Sequence, residues 1–183
     1  MDGGATLLQI RAKRAASRAF LADADIVVSR AAQAGALVII NDRADVARLC
    51  GATGVHVGQD DLSPADVRVV IGAGALVGLS THTPEQLAAA VQQPVDYVAI
   101  GPVFASATKD TGYAAVGLDL VRRAVDMANP VQLPVVAIGG ITLERAHEVL
   151  AAGASSVAVV ADLFATNDPA NRVRAYLDRL SRV

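Results

Sequence analysis

The segment from Tyr97 to Lys109 carries the clearest chemical signal in the sequence. It begins as an apolar run typical of a buried strand and ends in a short loop, where Ser106, Thr108 and Lys109 supply two hydroxyls and one ammonium. Gly101 allows a sharp backbone turn where the strand ends. Hydroxyls and an ammonium held close together suit a phosphate group. The loop therefore predicts a phosphate-binding site, and the alternative is an ordinary strand exit with Lys109 in solvent.

Four other charged residues stand where other predicted strands end. Arg11 and Lys13 follow the first strand, Asp42 follows the second and Asp61 follows the third. If these strand ends share one edge with Lys109, three cations face two carboxylates. Mg²⁺ prefers carboxylate and phosphate oxygens, and Arg and Lys neutralise the phosphate charge that remains. The set predicts a substrate that carries a pyrophosphate bound through Mg²⁺.

Both carboxylates also have structural alternatives. Asp61 could cap the helix that begins near Ser63, and Asp42 could be a loop residue paired with Arg43. Five charged residues on one face favour the binding site, but the sequence leaves these alternatives open.

The run from Gln9 to Lys13 alternates polar and apolar side chains. Gln9, Arg11 and Lys13 are expected on one side of the strand, and Ile10 and Ala12 on the other. A strand does not bury Gln, Arg and Lys on one face without anionic or polar partners. The alternation therefore predicts that all three polar residues take part in binding.

Ser80 and the three histidines carry weaker signals. Ser80 ends a strand just before a helix, where its hydroxyl could bind a phosphate oxygen or close the turn. His56 is expected to pack inside its strand, His82 could touch a ligand, and His147 is expected on the surface. No Ser/His/Asp or Cys/His set can be drawn, so we expect neither a nucleophilic hydrolase nor a Cys/His metal cluster.

Predicted strands and helices alternate along the chain and position these residues. Strands are predicted at 6–11, 37–41, 54–57, 76–80, 97–101, 135–139 and 156–160, and helices near 17–34, 44–50, 64–72, 84–92, 118–128, 143–151 and 168–181. Thr83, Thr142 and Asp168 are expected helix caps, and Gly35 and Gly153 are expected stops. The spacing of Arg172, Arg174, Arg179 and Arg182 predicts a solvated helix face.

This alternation fits either a closed (β/α)8 barrel or an open doubly wound sheet. Polar residues follow nearly every strand, and in a barrel the carboxyl ends of all strands meet at one mouth, whereas an open sheet concentrates its site at one switch point. We therefore predict an α/β fold of the TIM-barrel type, in a single domain over residues 1–183. Only seven strands are visible, although such a barrel has eight.

Amino-acid composition and net charge limit the fold class, the cellular compartment and the kinds of partner that can be expected. A chain of 183 residues suits one domain, and 53% hydrophobic with 3% aromatic residues indicates an aliphatic core. The longest apolar run, residues 69–79, contains three glycines and is too short to cross a membrane. With Cys50 alone and no signal-peptide pattern, the cytoplasm is the expected compartment. The net charge of −2, with few aromatics that do not alternate with basic residues, predicts no nucleic-acid partner.

Six motifs in this order and spacing resemble thiamine-phosphate synthases, over about nine-tenths of the chain. They are QIRAK at 9–13, INDR at 40–43, GVHVGQDDL at 54–62, GLSTH at 78–82, DYVAIGPVF at 96–104 with Thr108-Lys109, and VAIGGI at 136–141. That family is a TIM barrel. It joins 4-amino-2-methyl-5-hydroxymethylpyrimidine diphosphate to hydroxyethylthiazole phosphate, which gives thiamine phosphate and releases pyrophosphate.

The resemblance implies a role for each matching position. Residues for the pyrimidine diphosphate would be Gln9, Arg11, Lys13, Asn41, Ser80 and Lys109, with Ser80 and Lys109 as the catalytic pair. Mg²⁺ would be held by Asp42 and Asp61. Residues for the thiazole phosphate would be Ser106, Ala107, Thr108, Gly140, Val160 and Ala161. The substrates are the small-molecule partners implied, and the oligomeric state is open between a monomer and a homo-oligomer.

The chain departs from the family pattern at three places. Ala105-Ser106 stands where the family commonly has Pro-Thr, which keeps a hydroxyl and loses a rigid proline. Ala161 stands where a Ser often follows, so one side-chain donor to the thiazole phosphate is missing. The family's first strand and helix have no counterpart, so we expect about 20 residues ahead of Gly3 in the full gene product.

Two other functions compete with the synthase. Thiazole tautomerases share the fold, tend to carry His where Pro102 stands, and lack the cationic and Asp residues that this chain keeps. The chain could also be a non-catalytic homologue that only binds thiamine precursors or a protein partner. Turnover with both substrates and Mg²⁺ would separate the three functions.

Overall fold

The computed structural model describes residues 1–105 and 112–181 of the chain. The chain divides into two compact units. The first unit contains Met1, Ala5–Leu79 and Gln93–Asp96, and the second contains Asp2–Gly4, Ser80–Gln92 and the chain from Tyr97 onward. The prediction of a single domain stays a prediction.

Strands and helices alternate in the first unit. They are β1 (Leu7–Ile10), α1 (Ser17–Gln33), β2 (Leu37–Asn41), α2 (Ala44–Cys50), β3 (Gly54–Val57), α3 (Pro64–Ile71) and most of β4 (Leu76–Thr81). The strands are parallel and lie in chain order, with Leu7 opposite Leu37, Ile39 opposite Gly54 and Gly54 opposite Leu76. All carboxyl ends of these strands therefore lie at the same edge.

The core of the first unit is made by β2 and β3. Val38, Ile39, Ile40, Val55 and Val57 are each 2% exposed or less, so successive residues are buried on both faces of the strands. Burial on both faces is typical of a parallel sheet covered by helices, and it explains why these strands read as continuous β-branched runs. Polar side chains that bind a ligand are therefore expected beyond the carboxyl ends of these strands.

The second unit repeats the pattern. It contains the end of β4, α4 (Pro84–Ala90), β5 (Tyr97–Ile100), α5 (Gly117–Ala128), β6 (Val135–Ile138), α6 (Ala146–Ala151), β7 (Ser156–Ala158) and α7 (Pro169–Leu180), with short 3₁₀ helices at Asn129–Val131 and Ala161–Phe164. The strands β5, β6 and β7 are parallel neighbours. The end of β4 lies beside β5, because Thr81 Oγ1 donates to the Ala99 carbonyl and the Thr81 carbonyl accepts from Gly101.

The predicted elements are confirmed, with local corrections. The first strand ends at Ile10, so Arg11 lies outside it, and the last strand ends at Ala158. Thr142 is not a helix cap: its carbonyl accepts from Arg145 and Ala146 in a turn, and α6 begins only at Ala146. The predicted caps Thr83 and Asp168 are confirmed, since their side chains accept from Gln86 N and Asn171 N.

Among the described residues, no helix is both long and apolar enough to cross a membrane.

Candidate functional site

Lys13, Asp42 and Asp61 form a cluster in the first unit. Lys13 Nζ lies 3.3 Å from Asp42 Oδ2, and the Asp61 carboxyl lies close enough to Asp42 to raise its pKa. Burial raises the pKa of Asp42, and the adjacent Asp61 carboxyl raises it further, while Lys13 acts in the opposite direction.

The backbone aims Asp42 into this cluster. Asp42 directly follows β2 and has φ of 64°, a left-handed conformation that few residues other than glycine adopt. Its N–H donates to the His56 carbonyl of β3 at 2.8 Å, so the neighbouring strand holds this uncommon geometry in place. A residue held in a sparsely populated conformation by its surroundings is a frequent feature of binding sites.

Asp61 is held by a local contact. Its Oδ2 accepts from the Gly58 N–H at 2.8 Å, inside the loop that follows β3. The alternative role as a helix cap is wrong, because Ser63 is the N-cap of α3 and its hydroxyl accepts from Asp66 N. The Asp61 carboxylate therefore does not cap α3, and its bond to the Gly58 N–H orients it within the cluster.

The alternative partner proposed for Asp42 is also wrong. Arg43 turns away and binds Asp45 through Nε and Nη2, at 2.8 and 2.5 Å, and also reaches Ser17 Oγ at 3.2 Å. Asp42 pairs with Lys13, 29 positions earlier in the chain. The ion pair thus joins the segment after β1 to the end of β2.

The other predicted pyrophosphate residues of this unit also stand near strand ends. Gln9, Arg11 and Lys13 are exposed, whereas the residues between them are only partly exposed. Because β1 ends at Ile10, the placement of all three on one side of the strand stays a prediction. Asn41, the last residue of β2, is 9% exposed. His56 is 6% exposed within β3, in agreement with its predicted place in the core.

The donor set suits a hard cation. No group of three or more His, Cys, Asp or Glu side chains that could hold a metal occurs among residues 1–105 and 112–181. Two carboxylates alone, however, are what Mg²⁺ uses when phosphate and water oxygens complete its shell. The close carboxyl pair and the raised pKa of Asp42 fit such an ion, since a dication would relieve the repulsion between them.

In the second unit, Gly139 and Gly140 lie against the segment that precedes the predicted phosphate loop. Both have positive φ, 87° and 65°. A Cβ on Gly140 would lie 2.5 Å from the Phe104 carbonyl oxygen and 2.6 Å from that of Ala105. Phe104 N–H donates to the Gly139 carbonyl at 3.1 Å. The glycine pair thus brings the loop after β6 into direct contact with the loop after β5.

Four predicted phosphate ligands, Ser106, Ala107, Thr108 and Lys109, lie outside the described residues. The remaining two on the thiazole side, Val160 and Ala161, are exposed at the start of the 3₁₀ helix that follows β7. Neither residue carries a polar side chain, so a phosphate here could be bound only through main-chain N–H groups.

Ser80 and His82 lie at the carboxyl end of β4, Ser80 within the strand and His82 directly after it. Ser80 is 7% exposed and lies on the strand itself. His82 Nδ1 is hydrogen-bonded to the Gly101 carbonyl, and its ring stacks on Tyr113 with centroids 4.1 Å apart. The end of this strand is therefore tied to the end of β5, where the predicted phosphate loop starts.

Sequence reasoning missed a partly buried ion-pair network. Arg172 was expected on a solvated face, and this is wrong: its side chain is 17% exposed and binds Asp162 through Nε and Nη2, each at 3.0 Å. Only its position on a charged face of α7 was visible in the sequence. Arg145 was missed too, and its guanidinium lies 3.2 Å from the centroid of the Phe104 ring.

Comparison with known proteins decides the family. The family model for thiamine monophosphate synthase matches residues 1–163. The chain belongs to the thiamine monophosphate synthase family. A thiamine-phosphate synthase from Koribacter versatilis is 47% identical over 97% of this chain and 82% of the relative. Another from Gloeobacter violaceus is 42% identical over 98% of this chain, which spans only 51% of that relative.

A solved structure supports the fold. The thiamine phosphate pyrophosphorylase from Pyrococcus furiosus matches with a TM-score of 0.89 and 29% identity, over 99% of this chain and 85% of that one. The predicted α/β fold of the TIM-barrel type is confirmed by this match. Family membership also confirms that the protein is an enzyme of the transferase class, acting in thiamine biosynthesis.

Proposed function

We propose that the chain condenses 4-amino-2-methyl-5-hydroxymethylpyrimidine diphosphate with hydroxyethylthiazole phosphate, giving thiamine phosphate and pyrophosphate. The observation that carries the proposal is the cluster of Lys13, Asp42 and Asp61, in which a cation and two neighbouring carboxyls lie just after the carboxyl ends of parallel strands. Relatives named thiamine-phosphate synthase match nearly the whole chain and support the same reaction.

Asp42 and Asp61 are the residues that would hold Mg²⁺ in this reaction. Bound there, the ion would supply positive charge to the pyrophosphate oxygens. Lys13, already 3.3 Å from Asp42, would neutralise part of the remaining charge, together with Arg11. Gln9 and Asn41 would donate hydrogen bonds, because an amide can orient a phosphate without adding charge.

The bond changes ask little of the protein in acid or base chemistry. The C–O bond to pyrophosphate breaks and its electron pair leaves with the pyrophosphate. The electron-rich aminopyrimidine stabilises the carbocation that remains, and the lone pair of the thiazole nitrogen forms the new C–N bond. The protein stabilises the leaving charge and aligns the second substrate.

Ser80 and Lys109 are the proposed catalytic pair. Ser80 would donate its hydroxyl hydrogen to a pyrophosphate oxygen from the end of β4, where the strand and the contacts of His82 fix its position. Lys109 would add an ammonium to the same leaving group. Charge that develops on the departing oxygen is what both groups stabilise, so they act on kcat more than on substrate binding.

The thiazole phosphate is assigned to the second unit. Gly140 and the backbone at Val160 and Ala161 would donate main-chain N–H groups, and Ser106 to Thr108 would add side-chain hydroxyls. The tight approach of Gly140 to the Phe104 and Ala105 carbonyls supports this assignment, because only glycine permits it. The substrates are small molecules, and no nucleic-acid partner and a cytoplasmic location are expected.

A turnover assay tests the proposal against its two alternatives. Purified protein is incubated with both substrates and Mg²⁺, and thiamine phosphate and pyrophosphate are measured. The synthase forms both products in equal amounts. A thiazole tautomerase interconverts thiazole phosphate isomers without releasing pyrophosphate, and a non-catalytic homologue binds substrate without product. Either of these results would overturn the proposed function.

A further inference from the structure

The Asp162 carboxylate is held in the second unit by bonds from several directions. It accepts four hydrogen bonds: from Arg172 Nε and Nη2 at 3.0 Å each, from Tyr176 Oη at 2.5 Å and from the Leu143 backbone N–H at 3.1 Å. Its side chain is only 11% exposed. The family roles carried over from the sequence assign nothing to this residue.

These bonds join three separate parts of the chain. Asp162 belongs to the 3₁₀ helix Ala161–Phe164, Leu143 belongs to the loop between β6 and α6, and Arg172 and Tyr176 lie on α7. Two of these segments carry proposed phosphate ligands. Asp162 directly follows Val160-Ala161, and Leu143 stands three positions after Gly140.

Stability alone does not account for a charge at this place. A buried ion pair often contributes little net stability, because desolvation offsets the attraction, and apolar packing can hold two segments equally well. A carboxylate provides direction that apolar packing cannot: each oxygen accepts along defined lines, so Leu143 N–H and the Arg172 fork must keep fixed positions. The network therefore sets the spacing of the two loops.

We propose that Asp162 is a positioning residue for the phosphate of the thiazole substrate, holding the Gly140 loop and the Val160-Ala161 segment at the spacing that one phosphate requires. This inference rests on the proposed function. Because Ala161 offers no side-chain hydroxyl, these two segments can reach the phosphate only through backbone N–H groups, and the positions of those groups are set by the loops rather than by a rotatable side chain. Asp162 acts through these groups and does not touch the substrate.

The test is the substitution Asp162→Asn, which keeps the size of the side chain. One of its two acceptor oxygens becomes an NH₂ group, so either the Arg172 fork or the Leu143 N–H loses its acceptor. We expect KM for the thiazole phosphate to rise by about 10-fold to 100-fold, since a shift of about 1 Å in a binding group costs up to that much. KM for the pyrimidine diphosphate should change by less than about 2-fold, because none of the hydrogen-bond partners of Asp162 is a residue proposed to bind that substrate.

Asp168→Ala is the matched control. Asp168 caps α7 through Asn171 N and touches neither loop. Its loss should lower the thermal midpoint by about 2–4 °C and leave both KM values unchanged. A rise in thiazole KM in Asp168→Ala equal to that in Asp162→Asn would show that general loosening of α7 is the cause, and would overturn the positioning role.

Tyr176→Phe covers the case in which Asp162→Asn does not fold. It removes one donor to Asp162 and leaves the Arg172 and Leu143 bonds, so we expect a thiazole KM raised about 2-fold to 5-fold with an unchanged pyrimidine KM. Equal KM values in wild type and Tyr176→Phe would then overturn the inference. A wild-type protein without turnover would overturn the proposed function and, with it, this role. An active wild type with unchanged KM values in Asp162→Asn would overturn the role alone.

Discussion

Two carboxylates with different supports share the proposed metal site. Asp42 is placed by a left-handed backbone and a bond to β3, whereas Asp61 is placed by the Gly58 N–H of its own loop. Asp61 can therefore be changed with little effect on the surrounding backbone, because an amide oxygen can still accept from Gly58. This makes it the better residue for separating metal binding from folding.

Asp61→Asn should abolish Mg²⁺-dependent turnover while the protein stays folded. A carboxamide is nearly isosteric with a carboxylate but is a poor ligand for a hard dication. Turnover at several Mg²⁺ concentrations and the thermal midpoint are the measurements. Asp60→Asn is the control, since it removes the same charge from the adjacent, exposed residue and should leave turnover intact. Full activity in Asp61→Asn would remove Asp61 from the metal site.

Ala161→Ser should lower KM for the thiazole phosphate and leave KM for the pyrimidine diphosphate nearly unchanged. The added hydroxyl restores one donor beside the proposed phosphate, and one hydrogen bond to a charged group is worth roughly 1.5–3 kcal/mol. The gain should therefore not exceed about 100-fold. Steady-state kinetics with each substrate varied in turn gives both constants. An equal effect on the two KM values would show that the two phosphates are wrongly assigned.

At the scale of elements, the site is made by close contact between loops. The Gly139-Gly140 pair follows β6 and packs on the segment after β5, Gly139 against Pro102 and Gly140 against the Phe104 and Ala105 carbonyl oxygens. Neither glycine position tolerates a Cβ, for both conformational and steric reasons. The Gly-Gly motif therefore indicates close contact between two loops as well as a turn.

Gly140→Ala should destabilise the protein much more than Gly35→Ala. The two glycines have nearly the same φ, 65° and 67°, so the backbone cost of about 1–2 kcal/mol is common to both. At Gly35 nothing lies within 4 Å of an added Cβ, whereas at Gly140 two carbonyl oxygens lie at 2.5 and 2.6 Å. Urea unfolding of both variants measures the difference. Equal losses of unfolding free energy would show that the loops move apart at no cost.

At the scale of the whole molecule, Asp162 and Asp42 make the free energy of unfolding depend on pH in opposite directions. Burial pushes the pKa of Asp162 upward, but hydrogen bonds from Arg172, Tyr176 and the Leu143 N–H outweigh it and lower that pKa overall. The pKa of Asp42 is raised, first by burial and then by Asp61. A carboxyl whose pKa is lowered by folding adds stability at pH values above its ordinary pKa. A carboxyl whose pKa is raised by folding adds stability at pH values below its ordinary pKa, and this contribution is lost as pH rises through the raised pKa.

The contribution of Asp162 should therefore disappear in acid. Stability from this group is present at neutral pH and is lost as pH falls below about 4 and through the lowered folded-state pKa. Arg172 stays charged and Tyr176 stays protonated over this range, and the nearby Glu144 is exposed. Wild type should thus be more stable than Asp162→Asn at pH 7, with a smaller difference at pH 3, as measured by urea midpoints.

Asp42→Asn serves as the comparison with the opposite sign. It removes a carboxyl with a raised pKa, so the metal-free variant should gain stability relative to wild type as pH rises to 7. Asparagine also tolerates the left-handed backbone at this position. Parallel pH profiles for Asp42→Asn and Asp162→Asn would contradict the assignment of opposite shifts.

The amino-acid sequence by itself determined the order of the elements and where chemistry can occur. Continuous β-branched runs predict strands buried on both faces, and such strands leave only their ends for polar groups. Lys13, Asp42 and Asp61 were identified in this way. The caps at Thr83 and Asp168 were equally predictable, because a cap bonds to a backbone N–H three positions away and depends on local sequence alone.

The tertiary structure alone decided which charged groups pair. Asp42 has Arg43 beside it in the sequence and binds Lys13 instead. Arg172 lies on a charged helix that the sequence predicts to be solvated, yet its side chain is only 17% exposed and binds Asp162. Threonine is a common N-cap residue, but Thr142 is not a cap, because α6 begins only at Ala146. Partner choice for a long, flexible side chain depends on which groups the fold brings within about 3 Å, and sequence separation carries no information about that distance.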